Sequence, residues 1–158
     1  TIGASWMWAF FAPATACGVV ANRSLARWAD RGGYGPAGLS AYAALLLGLS
    51  GLLLEHPVLL GVGTTLFMSG YLGLLTVQPA HAMRLAGAHS RGQVMGIYNG
   101  LQFFGSFAGG LGAGLLWGIA PVLAIAGAGL AGLLGVVAHL ASWRGGVPVN
   151  PARPAGTG

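Results

Sequence analysis

The chain is written in long apolar runs, each closed by a short polar or turn-forming segment. Five of them reach the length a helix needs to cross a hydrocarbon layer, roughly 17–25 mostly apolar residues. They cover 2–21, 37–54, 58–77, 92–117 and 122–143. Pro13 interrupts the first, and Gln78-Pro79 closes the apolar part of the third. The intervals suit turns: 23–36 is polar and glycine-rich, Glu55-His56-Pro57 is a tight break, and 118–121 is another. Because the runs are continuous rather than alternating, a membrane β-barrel is excluded. The pattern predicts an all-α, polytopic transmembrane bundle of five spans, with antiparallel neighbours joined by short connections. Residues 144–158, dominated by Gly, Pro and Asn, are expected to form a disordered tail.

Composition strengthens this picture. The chain has two acids, Asp30 and Glu55, and no lysine, far below the quarter of charged residues that keeps a soluble surface wet. Its 30 glycines follow no collagen-like period and sit largely inside the apolar runs. Small residues of that kind let helix backbones approach closely in lipid. The single cysteine, Cys17, lies in an apolar run and has no intrachain partner for a disulfide. The chain opens on Thr1 and enters an apolar run without a basic leader, so we expect that further sequence precedes it and that no signal peptide is present.

The seven arginines are single and scattered, with no basic stripe interleaved with aromatics, so nucleic acid is not an expected partner. Their placement instead tests the span count. Alternating spans put Arg23, Arg27 and Arg31, then Arg84 and Arg91, then Arg144 and Arg153 on one side, leaving Glu55 and His56 on the other. The positive-inside rule makes the arginine side cytoplasmic, with the N-terminus outside and a multi-pass location in the cell membrane.

Candidate chemistry concentrates in the third and fourth runs. Ser90-Arg91-Gly92-Gln93 reads as a helix start with a capping box. Gly92, Gly96, Gly100, Gly110 and Gly114 follow as helix-packing candidates. At about 100° per residue, Gly92, Gly96, Gly110 and Gly114 project within roughly 40° of one another. Asn99, Gln102 and Ser106 share a second face, and amides in hydrocarbon point into protein or a wet cavity. Glue between helices and cavity lining both fit them. Thr64, Met68 and Tyr71 share a face of the third run. Hydroxyls of Thr64, Thr65 and Ser69 are expected to bond their own backbone carbonyls, whereas the Tyr71 hydroxyl needs a partner near mid-span. Trp6 and Trp8 suit interfacial anchoring, and His56, His81, His89 and His139 read as solvated residues near the span ends. No acid or arginine lies inside a span, and no catalytic triad, zinc spacing or phosphate loop is present, so neither an enzyme nor a cofactor or metal site is expected.

Two passages resemble the C-terminal half of a major facilitator superfamily transporter, from within its eighth helix to its twelfth. The segment 26–35, Ala-Arg-Trp-Ala-Asp-Arg-Gly-Gly-Tyr-Gly, is similar to the family loop motif Gly-x-Leu-Ala-Asp-Arg-x-Gly-Arg-Arg. Asp30, Arg31 and Gly33 match, while Ala26, Trp28, Tyr34 and Gly35 replace the glycine, the leucine and the closing basic pair. The segment from Arg91 through Asn99 to Gly110 is similar to the eleventh helix of drug and proton antiporters. The resemblance implies rocking of two six-helix halves about a midplane site, with Asp30, Arg31 and Gly33 in a gating loop. It also implies export of small amphiphilic molecules in a proton-driven cycle. Asn99, Gln102 and Tyr71 would then face the substrate cavity, with Ser106 and Met68 beside them. The expected partners are the bilayer, the N-terminal half of the same transporter, a small-molecule substrate and the coupling protons. The alternative is a non-transporting membrane interaction or scaffold module, in which the glycines serve packing alone.

The span count makes one prediction. Cysteines placed at Arg27 and Arg84 should both react with an impermeant thiol reagent from the same side of the bilayer; labelling from opposite sides removes the five-span topology.

Overall fold

The computed structural model describes residues 7–54, 56–86 and 90–144. Among them lie five α-helices: α1 (Met7–Gly32), α2 (Tyr34–Leu52), α3 (Pro57–Leu85), α4 (Arg91–Ile119) and α5 (Pro121–Arg144). Three of these, α2, α3 and α5, are long and apolar enough to cross a membrane. Trp6, Glu55, His89 and the tail 145–158 lie outside the described residues, as does the side chain of Trp8.

The main departure from the sequence reading is at 23–36. This segment, expected as a polar loop, continues α1 to Gly32 and starts α2 at Tyr34, leaving Gly33 as the whole connection. The reason lies in helical periodicity. Ala29 is buried and Leu25 packs against it, while Arg23, Arg27 and Arg31 project outward, so the polar residues form one face of a helix. Gly33 then turns the chain with φ 98°, a value favouring glycine, and its amide donates to the Ala29 carbonyl at 3.0 Å. Two smaller differences follow. Helix α3 runs through Pro79 to Leu85, beyond the apolar stretch that ends at Val77. Helix α4 does start after Ser90, whose carbonyl accepts from the Val94 amide at 2.9 Å, but without the side-chain capping bond of a capping box.

Small residues set the packing. On α2 and α3, Gly48 and Gly63 lie backbone to backbone: a Cβ on Gly63 would stand 3.0 Å from the Gly48 carbonyl and 3.1 Å from Gly51 Cα. A Cβ on Gly70 would stand 2.5 Å from both the Ala41 carbonyl oxygen and the Leu45 amide nitrogen. Helix α1 leans on α3 where Gly73 meets Leu25 and where Gly18 meets the Met68 backbone. Helix α5 lies on α2, with Gly132 against Leu46 and Gly135 against Tyr42. Helix α4 packs mainly on α5 and touches α3 more lightly, with no buried residue of its own.

The core is thin. Ala14, Ala29, Ala37, Ala41, Tyr42, Leu49, Val77 and Ala124 are its buried apolar residues, and Val77 is the largest side chain wholly enclosed. Large apolar side chains such as Phe103, Phe107, Trp117, Leu134 and Val137 are exposed instead. An apolar surface on that scale is untenable in water and suits lipid. Hydroxyls follow the same rule: Thr64, Thr65 and Ser69 donate to the carbonyls of Leu60, Gly61 and Thr65 at 2.7–2.8 Å, as expected from sequence.

The packing separates two kinds of glycine. Gly70→Leu drives a branched side chain into α2 backbone, so it should destabilise the chain in nanodiscs by about 1–3 kcal/mol or more, read by thermal unfolding. Gly96→Leu, with open space around it, should leave stability unchanged. Equal losses in the two variants would contradict this account.

Candidate functional site: an apolar cavity and a polar cluster

Residues of helices α2 to α5 line an open cavity of about 710 Å³. Its walls are mostly apolar, including Leu45, Leu49, Phe67, Ala113, Leu116 and Ala128. Tyr71 of α3 and Ser106 of α4 are the hydroxyl-bearing residues among those that line it. The Tyr71 ring lies nearly parallel to Phe67, with centroids 6.3 Å apart, so the two form one flat aromatic panel. Gly105, Gly109 and Gly112 form much of the α4 wall, and Gly127 and Gly132 part of the α5 wall. These glycines leave the wall bare, and nothing stands within 4 Å of a Cβ built on Gly105, Gly109 or Gly112.

The sequence candidates divide around this cavity. Tyr71, Ser106 and Gly110 meet in it. Met68 does not: its backbone faces Gly18 of α1. Gln102 is half-buried and Asn99 exposed, and neither is among the lining residues. Positions at Gly92, Gly96, Gly100, Gly110 and Gly114 have no neighbour within 4 Å of where a Cβ would stand. By helical projection most of this stripe points away from α3 and α5, roughly opposite the half-buried residues Tyr98, Gly112 and Leu116. Phe103 and Phe107, 75% and 71% exposed, project on the same side, so rings separate the lower glycines from the upper pair.

The loop-motif residues also separate. Asp30 accepts a hydrogen bond from the Tyr34 hydroxyl at 2.9 Å, across the Gly33 turn, and Arg31 is exposed. Gly33 makes the turn already described. The Arg84 guanidinium lies over the Tyr34 ring, 4.4 Å from its centroid.

Beyond Tyr34 lies a cluster that sequence reasoning missed. His139, expected to be solvated, is buried at 7% exposure. Its Nε2 lies 3.0 Å from the Gly35 carbonyl; a carbonyl can only accept, so Nε2 carries the hydrogen. His81 stands 5.8 Å away, ring centre to ring centre. Tyr34 meets His81 edge-on at 6.1 Å, and Tyr42 meets His139 at 5.9 Å. The Gln78 amide donates to the Tyr42 hydroxyl. Glycines make the room: a Cβ on Gly38 would collide with the His139 ring, on Gly35 with Trp143, and on Gly135 with Tyr42. A second cavity of about 300 Å³ opens on the cluster, lined in part by Tyr98, Ser142, His81 and His139. The signal was present in spacing, with Gln78 and His81 at i, i+3 on α3 and Gly35, Gly38 and Tyr42 at helical spacing on α2. What hid it is that the cluster joins three helices, and no single one carries the pattern.

These contacts bring the C-terminal ends of α1, α3 and α5 together with the N-terminal end of α2, and Tyr98 brings the first half of α4 alongside. Arg31, Arg84, Arg91 and Arg144 therefore lie towards one end of the bundle. Searches among known proteins give no matching family model, no similar curated protein and no similar solved structure.

Proposed function

We propose that the chain forms part of a secondary transporter of the major facilitator type, embedded in the cell membrane, that moves small amphiphilic molecules. In this reading all five helices span the bilayer, with the arginine-bearing end at the cytoplasm and the N-terminus outside. The observation that carries it is the 710 Å³ cavity among α2 to α5. That volume falls within the range of roughly 300–1,000 Å³ typical of small-molecule pockets. Mostly apolar walls with Tyr71 and Ser106 among them suit a ligand that is mostly hydrocarbon with one or two polar groups.

Helix α4 supplies further support. It exposes Asn99, Gly92, Gly96 and Gly100, none of which meets another of the described helices. An amide facing hydrocarbon is costly, so that side calls for more protein or a wet passage. Helices of a second half, rocking against α4 about the cavity, meet both needs. The gap between Gly96 and Gly110, occupied by Phe103 and Phe107, gives such a partner a stepped surface rather than a smooth one.

A scaffold module that moves nothing shares the bundle but not the need for an accessible cavity. Ala128→Trp places a large ring among the lining residues, so it should weaken binding of a fluorescent amphiphile to the chain in nanodiscs by tenfold or more. Unchanged binding would favour the scaffold reading. In the intact transporter, with Cys17 replaced, Asn99→Cys should react with an aqueous thiol reagent much faster than Leu101→Cys. Equal rates would remove Asn99 from the water-filled path.

A further inference from the structure

We propose that the two cavities are the ends of one binding lane for an uncharged amphiphile. Its hydroxyl or amide head lies at Gln78 and Tyr98, and its hydrocarbon fills the larger cavity. The proposal deepens the transport reading, on which it rests for the ligand being a cargo.

The lane follows from register. The larger cavity takes Leu45 from α2, Tyr71 from α3, Gly105 from α4 and Gly132 from α5. The smaller takes Tyr42, Gln78, Tyr98 and Gly135 from the same four helices. On each helix the step from the first to the second is one or two turns, always towards the arginine-bearing end. Four helices that step together place the cavities end to end on one axis. On α5 the lining runs from Ala124 to Ser142, a rise of about 27 Å at 1.5 Å per residue. Helix α4 marks the join with Gln102, which is half-buried and one turn from both Tyr98 and Ser106. Hydrogen-bonding residues therefore descend one face of α4 as Ser106, Gln102 and Tyr98.

The two ends differ in chemistry as the two ends of an amphiphile do. Glycines, alanines, leucines and the Phe67–Tyr71 panel make the larger cavity. Gln78, Tyr98, Ser142 and two imidazoles line the smaller. Gln78 gives an N–H to the Tyr42 hydroxyl, which leaves its carbonyl oxygen to accept from a ligand. The Tyr98 hydroxyl both donates and accepts. A hydroxyl or primary amide head does the same, so it answers both residues.

The head carries no charge because nothing there would pair with one. Among the described residues that line the two cavities there is no acid, lysine or arginine. An ionic head would exchange water for neutral groups, and a charge loses far more by that than a hydroxyl or an amide does. Arg84 stands over the Tyr34 ring beyond the cluster, and its charge repels a cationic head.

The test is displacement of a dansyl-labelled decanamide from the chain in phosphatidylcholine nanodiscs, with empty nanodiscs subtracted and competitors compared at equal membrane load. In the unaltered chain, 1-decanol and decanamide should compete at least tenfold better than decyltrimethylammonium or decanoate. Tyr98→Phe and Gln78→Leu should each weaken decanamide roughly three- to tenfold, the effect of one lost hydrogen bond, and leave decane unmoved. Ala128→Trp should weaken decanamide and decane alike. Equal competition by charged and uncharged heads would overturn the proposal without recourse to any variant. So would head variants that treat decanamide and decane the same while Ala128→Trp blocks both, a result that removes the lane and leaves the transport cavity standing. Decanamide binding indifferent to Ala128→Trp would separate the two cavities and end the lane. Absence of displacement by every competitor would remove the lane and the transport reading together.

Discussion

Backbone contact between α2 and α3 is the interaction on which the rest of the structure is built. In lipid there is little hydrophobic gain in bringing two apolar helices together, because hydrocarbon already surrounds both. What remains is van der Waals contact, which grows as the backbones near each other. Gly48 and Gly51 on one helix and Gly63 on the other remove the atoms that would hold them apart, and Gly70 repeats the device against Ala41 and Leu45. This pairing makes α3 the centre of the bundle. Helix α1 then docks on α3 through Gly18 and Gly73, and α5 on α2 through Gly132 and Gly135. A thin core of alanines and glycines is the consequence.

The same device, used at one end, makes room for rings instead of backbone. Gly35, Gly38 and Gly135 accommodate Trp143, His139 and Tyr42, and the polar cluster assembles from the side chains so seated. Its position follows from helix length. Helix α3 has 29 residues, so it is about 43 Å long at 1.5 Å per residue. The hydrocarbon core measures roughly 30 Å. The excess carries Gln78, His81 and Arg84 past the apolar stretch into a zone where polar groups find partners. Pro79 is tolerated there, since the one amide it removes is missed less where other donors and water are at hand.

Helix number, helix order and the apolar character of α2, α3 and α5 were legible because each is written within one segment. The 23–36 segment misled for the opposite reason. Its arginines are polar in composition but lie on one face of a helix, and only the burial of Ala29, with Leu25 packed against it, on the other face reveals it. Glycine identity was legible, but its use was not. The regular spacing on α4 drew attention to Gly96 and Gly110, which meet nothing here, while the glycines in tight contact on α2 and α3 have no comparable regularity. Of the cavity candidates, Tyr71 and Ser106 come together, whereas Met68 turns to α1; face assignment from spacing says which residues share a side, and not which neighbour that side meets. The histidine pair was beyond reach for a related reason, since 58 residues separate its members and neither helix is unusual alone.

The cavity owes its present width to α4 being held mainly by α5. Where α4 faces α3, its wall is Gly105, Gly109 and Gly112, none of which meets an atom within 4 Å of a built Cβ. Across the gap stand Phe67 and Tyr71, whose flat panel presents no branched side chain to obstruct a smooth helix face. On the α4 side little stands against a closer approach, and the rings of Phe67 and Tyr71 on α3 set its limit. A ligand in the cavity would replace that approach with its own contacts. A filled and a closed cavity would then differ in which van der Waals contacts α4 makes, with a ligand or with those rings.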